Sequence, residues 1–151
     1  MGRWVAIDYG LRRIGLAIAD PGGTIASPDS VLDSTGSAPK DADRVLAWAP
    51  TVEAVGFVVG LPLNMDGTDS QQTRLTRAFA DQLRARGPLP VELWDERLSS
   101  FQADQVLNAG QVRGDRRRKL RDALAAQVIL QSFLDARHQR DADDDDGWPL
   151  P

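Results

Sequence analysis

Two apolar runs near the start of the chain place the strongest constraint on its fold. "WVAID" spans residues 4–8 and "IGLAIAD" spans residues 14–20, with only "YGLRR" between them. Each run has the length of a buried strand. A connection this short cannot hold the crossover that parallel strands need, so we predict an antiparallel pair. A third strand is predicted over 24–32, where Pro28 favours the edge of a sheet.

The later segments alternate strands with helices. A fourth strand is predicted within "AVGFVVGLPL" (54–63) and a fifth in "VELW" at 91–94. The remaining periodic segments predict helices over 41–49, capped by Asp41, over Gln71–Arg86, over 99–109 and over 115–138. The order predicts an α/β fold with one mixed five-stranded sheet. Strands 1–3 form an antiparallel meander, strands 4 and 5 are parallel additions, and helices cover both faces.

Charge divides the chain at about position 138. The whole sequence has a formal charge of −4, but "RDADDDDGWPLP" at its end holds five aspartates and one arginine. The rest is therefore close to neutral. We predict one folded domain over 1–138 and an acidic, disordered tail over 139–151. The sequence contains no cysteine, no signal-peptide core and no apolar run of membrane-spanning length, so a soluble cytoplasmic protein is expected.

Three carboxylates lie where the pattern predicts buried surface. Asp8 ends the first strand and Glu96 follows the fifth, although a turn aspartate and a first-turn helix acid are the simpler interpretations of these two. Asp122 is more informative, because a helical wheel places it at the edge of the apolar half, in a row with Ala126 and Ile129. Three clustered carboxylates repel one another, and a divalent cation would relieve the repulsion. Oxygen ligands favour Mg²⁺ or Mn²⁺, and two such ions about 4 Å apart support phosphodiester cleavage.

Basic residues cluster just before Asp122. Six of them lie within nine positions: Arg113, Arg116, Arg117, Arg118, Lys119 and Arg121. Such a block is a candidate site for nucleic-acid phosphates, and a solvated helix end is the equally plausible alternative. Beside the carboxylates it favours a nucleic-acid substrate.

Four segments, in this order, resemble the blocks of the YqgF family, also called RuvX: "AIDYGLRRIGLAIAD", "VVGLPLNMDGT", "DERLSSFQA" and "DALAAQVIL". The resemblance runs from Trp4 to about Leu134. It implies the RNase H-like fold and kinship with RuvC Holliday junction resolvases. Members of the family are described as resolvases and as nucleases that mature the 5′ end of pre-16S rRNA.

The resemblance also implies site residues. The acidic residues of the family fall on Asp8, Glu96 and Asp122, and the arginine of its first motif falls on Arg13. Related nucleases often carry a fourth acid three or four positions from the last one. Lys119 and Ala126 occupy those positions here, so the resemblance identifies three acids.

Other residues are candidates for substrate binding. These are Arg13, Asn64, Arg97, Arg116, Arg117 and Lys119. Three of them have structural alternatives: Arg13 could orient a carboxylate, Arg97 could pair with Asp95, and Asn64 could serve only the turn "LNMDGT".

The sequence therefore predicts a metal-dependent nuclease acting as a monomer or homodimer. Its expected substrates are rRNA precursors, junction DNA or single strands, and ribosomal particles are expected partners. Two alternatives stay open. One is a non-catalytic module that binds RNA or the ribosome through the same fold. The other is an ATP-using relative, because "DYGLRRIG" also looks like the phosphate hairpin of actin-like ATPases, which need two such domains.

Overall fold

A computed structural model describes residues 2–99 and 114–146. It contains five strands and three α-helices in these ranges. The strands are β1 (Arg3–Tyr9), β2 (Arg13–Ala19), β3 (Ala26–Asp33), β4 (Ala54–Leu61) and β5 (Val91–Asp95); the helices are α1 (Ala38–Trp48), α2 (Gln71–Arg86) and α3 (Gly114–Asp146).

The five strands form one sheet in the order β3-β2-β1-β4-β5. The pairs β1/β2 and β2/β3 are antiparallel, whereas β1/β4 and β4/β5 are parallel. This confirms the predicted meander with two parallel additions. It also confirms β3 as an edge strand, where the ring of Pro28 interrupts the ladder at little cost.

The two faces of the sheet carry side chains of different size. On one face Val5 and Ile7 pack with α1 and α2, against large residues such as Phe79. On the other face Ala6, Ala17 and Val58 pack against α3. Because Ala6 and Ala17 at the centre of this face are small, α3 can approach the strands closely there, whereas the larger Trp4 and Trp94 pack against Phe133 of the helix. Helices on both faces were predicted, and the structure confirms them.

Two predicted helix ends are wrong. Helix α1 begins at Ala38 rather than 41, and the Ser37 side chain, not Asp41, accepts the capping hydrogen bond from the Lys40 amide. Helix α3 continues to Asp146, well beyond the predicted end at 138. The domain boundary at 138 stays a prediction. The predicted helix over 99–109 lies outside the described residues apart from Ser99. None of the helices within the described ranges could span a membrane.

Asp41 is instead a buried acceptor that ties the end of β1 to α1. It is fully buried and accepts hydrogen bonds from the Tyr9 hydroxyl (2.6 Å), the Ser34 hydroxyl (3.0 Å), and the amide and hydroxyl of Thr35 (2.8 and 2.9 Å). Burial opposes ionisation of Asp41, but these donors outweigh it and lower its pKa. Tyr9 is thereby fixed beside the candidate site residue Asp8.

We expect Asp41→Asn to destabilise the fold at neutral pH by about 3 kcal/mol, because hydrogen bonds to a buried charge are lost. A lowered pKa means that the native protein holds its charge where the unfolded chain is protonated. The stabilisation is therefore present above the unfolded pKa and is lost as the pH falls through the folded one. Urea unfolding from about pH 7 down to about pH 3 measures this. Asp43→Asn, which removes an exposed ion pair with Arg86, is the control and should cost below about 1 kcal/mol. An equal cost in both variants would contradict the prediction.

Candidate active site

The carboxyl ends of the parallel strands bring two of the three predicted acids to one edge of the sheet. Asp8 is the penultimate residue of β1, and Glu96 directly follows β5. Side chains alternate along a strand, so Asp8 points to the same face as Ala6, the face that α3 covers. Open sheets bind ligands at this edge.

A short 3₁₀ turn over Glu96–Leu98 presents Glu96. The Asp95 carboxylate caps this turn by accepting from the Arg97 amide at 2.9 Å, and it also receives the Arg97 guanidinium at 2.7 Å. The same guanidinium donates to the Met65 carbonyl at 3.2 Å, which connects the turn to the loop after β4. The charges of Asp95 and Arg97, on either side of Glu96, therefore neutralise each other within the turn.

Gly15 brings the third acid over the sheet. It lies opposite Asp8 in the β1/β2 pairing, and a Cβ at this position would overlap the backbone oxygen of Asp122. The absence of a side chain lets the α3 backbone rest directly on β2. Asp122 is thereby positioned beside Asp8, although 114 positions separate them in the chain.

Gly60 makes room for Glu96 in the same way. It lies on β4 beneath α3, where a Cβ would be 2.7 Å from Oε1 of Glu96 and 2.5 Å from Cδ1 of Ile129. Both contacts are tighter than side chains normally allow. The Glu96 carboxylate therefore occupies space that any larger residue at position 60 would take.

The three predicted acids, Asp8, Glu96 and Asp122, line one pocket of about 240 Å³. The other lining residues are Ser99, Arg121, Ala125, Val128 and Ile129. The structure thus brings together side chains from β1, the turn after β5, and α3. Their convergence is the central geometric prediction of the sequence analysis, and their chemical roles remain a proposal.

The surroundings of this pocket disfavour ionisation of Asp8 and Glu96. Burial and the neighbouring charges of Glu96 and Asp122 raise the pKa of Asp8 from 3.8 to about 7, and Arg121 offsets this only in part. Burial, together with the charge of Asp95, raises the pKa of Glu96. Ionisation of Asp8 and Glu96 together is therefore unfavourable in this pocket, and a bound cation would offset that cost.

Arg13 engages the third carboxylate. Its Nε donates to Oδ2 of Asp122 at 2.5 Å, and both side chains are about a quarter exposed, at 26% and 25%. Of the two roles predicted for Arg13, the structure therefore contains the carboxylate contact. In this arrangement no three carboxylate or histidine side chains within 2–99 and 114–146 are grouped closely enough to hold one metal ion. The donor set nevertheless suits a hard divalent cation, because it consists of mutually repelling carboxylates in one pocket.

Two of the other predicted substrate-binding residues make contacts within their own loops. Asn64 donates from Nδ2 to the Thr68 hydroxyl at 3.0 Å and closes the turn after β4. Arg97 pairs with Asp95, which confirms that predicted alternative. These contacts support the structural interpretations, and a substrate role for either residue stays a prediction.

The basic block continues into the start of α3, and its first member, Arg113, lies outside the described residues. Lys119 is exposed and lines a second pocket of about 240 Å³ with Arg12, Arg13 and Asp33. Arg116 is also exposed, whereas the side chain of Arg117 lies outside the described part of the structure. Because Arg13 contacts Asp122, this basic pocket adjoins the acidic one.

Sequence reasoning missed Ser99, Gly15 and Gly60. Each had a signal. Ser99 lies three residues after Glu96, in the turn that presents it, and a glycine within a strand pattern indicates close approach of another group. The partner that approaches each glycine, however, lies far away in the sequence and could not be identified from a local pattern.

Comparisons with known proteins find relatives over most of the chain. The family model described as "RuvX: Holliday junction resolvase" matches residues 2–136. A protein of Sphingopyxis alaskensis named "Putative pre-16S rRNA nuclease" is 45% identical over 136 residues, covering 89% of this chain and 88% of its own length. A protein of Anaeromyxobacter dehalogenans with the same name is 45% identical over 135 residues, covering 89% and 98%.

Solved structures agree with the predicted fold. RuvC of T. thermophilus in complex with a Holliday junction substrate superposes with a TM-score of 0.58 at 15% identity, covering 92% of this chain and 97% of its own. The yeast mitochondrial Holliday junction resolvase Ydc2 gives 0.60 at 12% identity, covering 93% and 81%. At such low identity these matches establish the RNase H-like fold alone. The family assignment rests on the sequence comparisons, which span nearly all of the folded residues: the chain belongs to the RuvX family.

Proposed function

We propose that this chain is a divalent-metal-dependent nuclease that hydrolyses phosphodiester bonds. One observation carries the proposal: Asp8, Glu96 and Asp122, from three distant parts of the chain, line one pocket at the carboxyl ends of parallel strands. A fold stabilised only by packing gains nothing from placing mutually repelling carboxylates together. Membership of a resolvase family supports nuclease chemistry for this pocket.

The substrate follows from the relatives. The curated relatives are named for pre-16S rRNA, and the family model is named for the Holliday junction. We propose maturation of the 5′ end of pre-16S rRNA, resolution of Holliday junctions, or both, in the cytoplasm. Both substrates present the same phosphodiester to the pocket, and the rRNA role implies contact with ribosomal particles.

The carboxylates of Asp8, Glu96 and Asp122 would hold Mg²⁺ or Mn²⁺, with two ions as the expected number. When bound, such ions activate a water molecule and stabilise the leaving oxygen. Asp8 interacts with the charges of both other acids, because Glu96 and Asp122 each raise its pKa. Asp8 would therefore hold a cation together with Glu96 and Asp122, and the cation would stabilise the ionised form of Asp8.

Two arginines organise the acids. Arg13 orients Asp122, which lines the pocket, by donating to its Oδ2. Arg121 lowers the pKa of Asp8 and so favours the ionised form that a cation needs. Both are positioning residues, since they act through the carboxylates.

The basic residues beside the pocket would hold the nucleic-acid backbone. We expect Lys119→Ala to weaken nucleic-acid binding about equally for all sequences, and to reduce the slope of log Kd against log salt by about 1, because one phosphate contact is lost. Lys40 is the other lysine of the chain, and its exposed side chain lies in α1. Lys40→Ala is therefore the matched control. If Lys119→Ala left the slope of log Kd against log salt unchanged, Lys119 would not be part of the binding surface.

The nuclease proposal is tested by incubating the full chain with labelled junction DNA, single-stranded DNA and precursor 16S rRNA. Each substrate is combined with Mg²⁺, with Mn²⁺, or with a chelator. We expect at least one substrate to be cleaved when an ion is present and not when the chelator is present. Tight binding with no ion-dependent cleavage of any substrate would contradict a nuclease and favour the non-catalytic binding module.

A further inference from the structure

The Ser99 hydroxyl is the buried polar atom that the fold leaves without a partner. Among the buried side-chain nitrogen and oxygen atoms of residues 2–99 and 114–146, Oγ of Ser99 alone has no hydrogen-bond partner. A buried hydroxyl that makes no hydrogen bond destabilises a protein, so such groups are rare and call for an explanation. Here the unpaired atom belongs to a residue that lines the acidic pocket.

The position of Ser99 is fixed by its backbone and its neighbours. Its amide donates to the carbonyl of Glu96 at 3.0 Å, so it belongs to the same turn that presents that carboxylate. The turn is also connected to α3, because the Ser132 hydroxyl donates to the Leu98 carbonyl at 3.3 Å while it accepts from the Trp94 indole at 3.0 Å. These contacts fix the backbone of Ser99 relative to Glu96.

The chemistry of the pocket indicates what the hydroxyl binds. Asp8, Glu96 and Asp122 offer acceptors, yet the Ser99 hydroxyl bonds to none of them. A divalent cation would take the carboxylates in preference to a neutral hydroxyl. The Ser99 hydroxyl therefore still lacks a hydrogen-bond acceptor. A phosphodiester attacked in this pocket would bring two acceptors, its non-bridging oxygens.

We propose that Ser99 contacts the substrate, with its Oγ–H donating a hydrogen bond to one non-bridging oxygen of the scissile phosphodiester. The inference rests on the proposed nuclease function and assigns a residue to it. It also accounts for the unpaired atom, because the hydroxyl is satisfied only in the complex. No bond is made or broken by Ser99 itself.

The first test separates this role from a structural one. Replacing Ser99 by Ala removes an unpaired atom, so the melting temperature is expected to stay unchanged or to rise. The same variant should lower kcat/KM for the cleaved substrate by about 10- to 100-fold, which is the effect of losing a hydrogen bond to a charged group. Ser30→Ala is the control, because Ser30 lies on the edge strand β3 and its hydroxyl donates to Asp29. It should leave kcat/KM unchanged.

The second test identifies the contacted atom. Two stereoisomers of a short substrate, each carrying a methyl group in place of one non-bridging oxygen at the cleaved position, serve as competitive inhibitors. The isomer that keeps the contacted oxygen should bind Ser99→Ala about tenfold more weakly than the wild type, whereas the other isomer should bind both proteins equally.

The outcomes are distinct. Ion-dependent cleavage by the wild type with kcat/KM of Ser99→Ala within about twofold would overturn the role of Ser99 and leave the nuclease function standing. Equal changes for the two stereoisomers would show that the hydroxyl acts elsewhere and would also overturn it. Absence of cleavage by the wild type would overturn both proposals.

Discussion

Asp8→Asn is expected to reduce ion-dependent cleavage by at least about 1000-fold while leaving the fold intact. Residues that merely orient metal ligands typically contribute about 10- to 100-fold. Loss of an acid that itself lines the pocket and interacts with both other carboxylates should therefore have a larger effect. Asn keeps the size of the side chain but supplies no charge to a cation. Initial cleavage rates with Mn²⁺ for the variant and the wild type provide the measurement.

The same substitution should stabilise the metal-free protein. The folded-state pKa of Asp8 is raised from 3.8 to about 7, so the native protein holds a proton there that the unfolded chain has lost. Stability of the wild type therefore falls as the pH rises through this interval, and the variant avoids that loss. The full shift corresponds to about 4 kcal/mol, and partial contact with solvent should reduce the gain to about 2 kcal/mol.

Urea unfolding with chelator present, at about pH 5 and about pH 8, tests this. The advantage of Asp8→Asn should grow between the two pH values, and added Mn²⁺ should stabilise the wild type much more than the variant. If Asp8→Asn cleaved substrate as fast as the wild type, the catalytic assignment of Asp8 would be refuted. A variant that is less stable than the wild type at both pH values would instead contradict the electrostatic account of the pocket.

Gly15→Ala is expected to have the second large effect. The added methyl group would overlap the backbone oxygen of Asp122, and a backbone atom cannot rotate away. Helix α3 must therefore move off the sheet, which should cost about 3 kcal/mol of stability. A displacement of about 1 Å at a catalytic group lowers rates by about 100-fold, so cleavage should fall by at least this factor.

Matched glycine substitutions distinguish this effect from a general intolerance. In Gly60→Ala the new methyl group meets the movable ends of Glu96 and Ile129, so the loss of stability should be smaller than in Gly15→Ala. In Gly22→Ala the nearest atom is a side-chain oxygen of Asp20 at 3.2 Å, and both stability and activity should be nearly unchanged. Similar melting temperatures for Gly15→Ala and Gly22→Ala would contradict the close approach of α3.

The fold could be predicted because its signals are local. The short connection over 9–13 determined the antiparallel pairing of β1 with β2. The four-residue spacing of Leu75, Phe79 and Leu83 predicted α2, although Leu75 is exposed, and the break at "GPLP" marked its end. Pro28 marked the edge strand. Each of these inferences needs only a few neighbouring residues and the geometry of one element.

The errors arose where distant residues decide the structure. Asp41 has the residue type of a helix cap, but donors from β1 and the loop after β3 make it a buried acceptor, and Ser37 caps α1 instead. The wheel placed Asp122 correctly at the edge of the apolar half of α3. Asp122 also forms an ion pair with Arg13 and lies over the space that Gly15 leaves without a side chain. Both features depend on how α3 packs against β2, and a local sequence pattern does not contain that information.

The position of Asp122 on the last helix has a consequence during protein synthesis. The residues at positions 8 and 96 are synthesised before α3, which supplies Asp122. Until α3 has emerged and settled on β2, two of the acids stand in an open groove with their third partner missing. If the three acids act together as proposed, a growing chain is expected to gain nuclease activity only after α3 has been made.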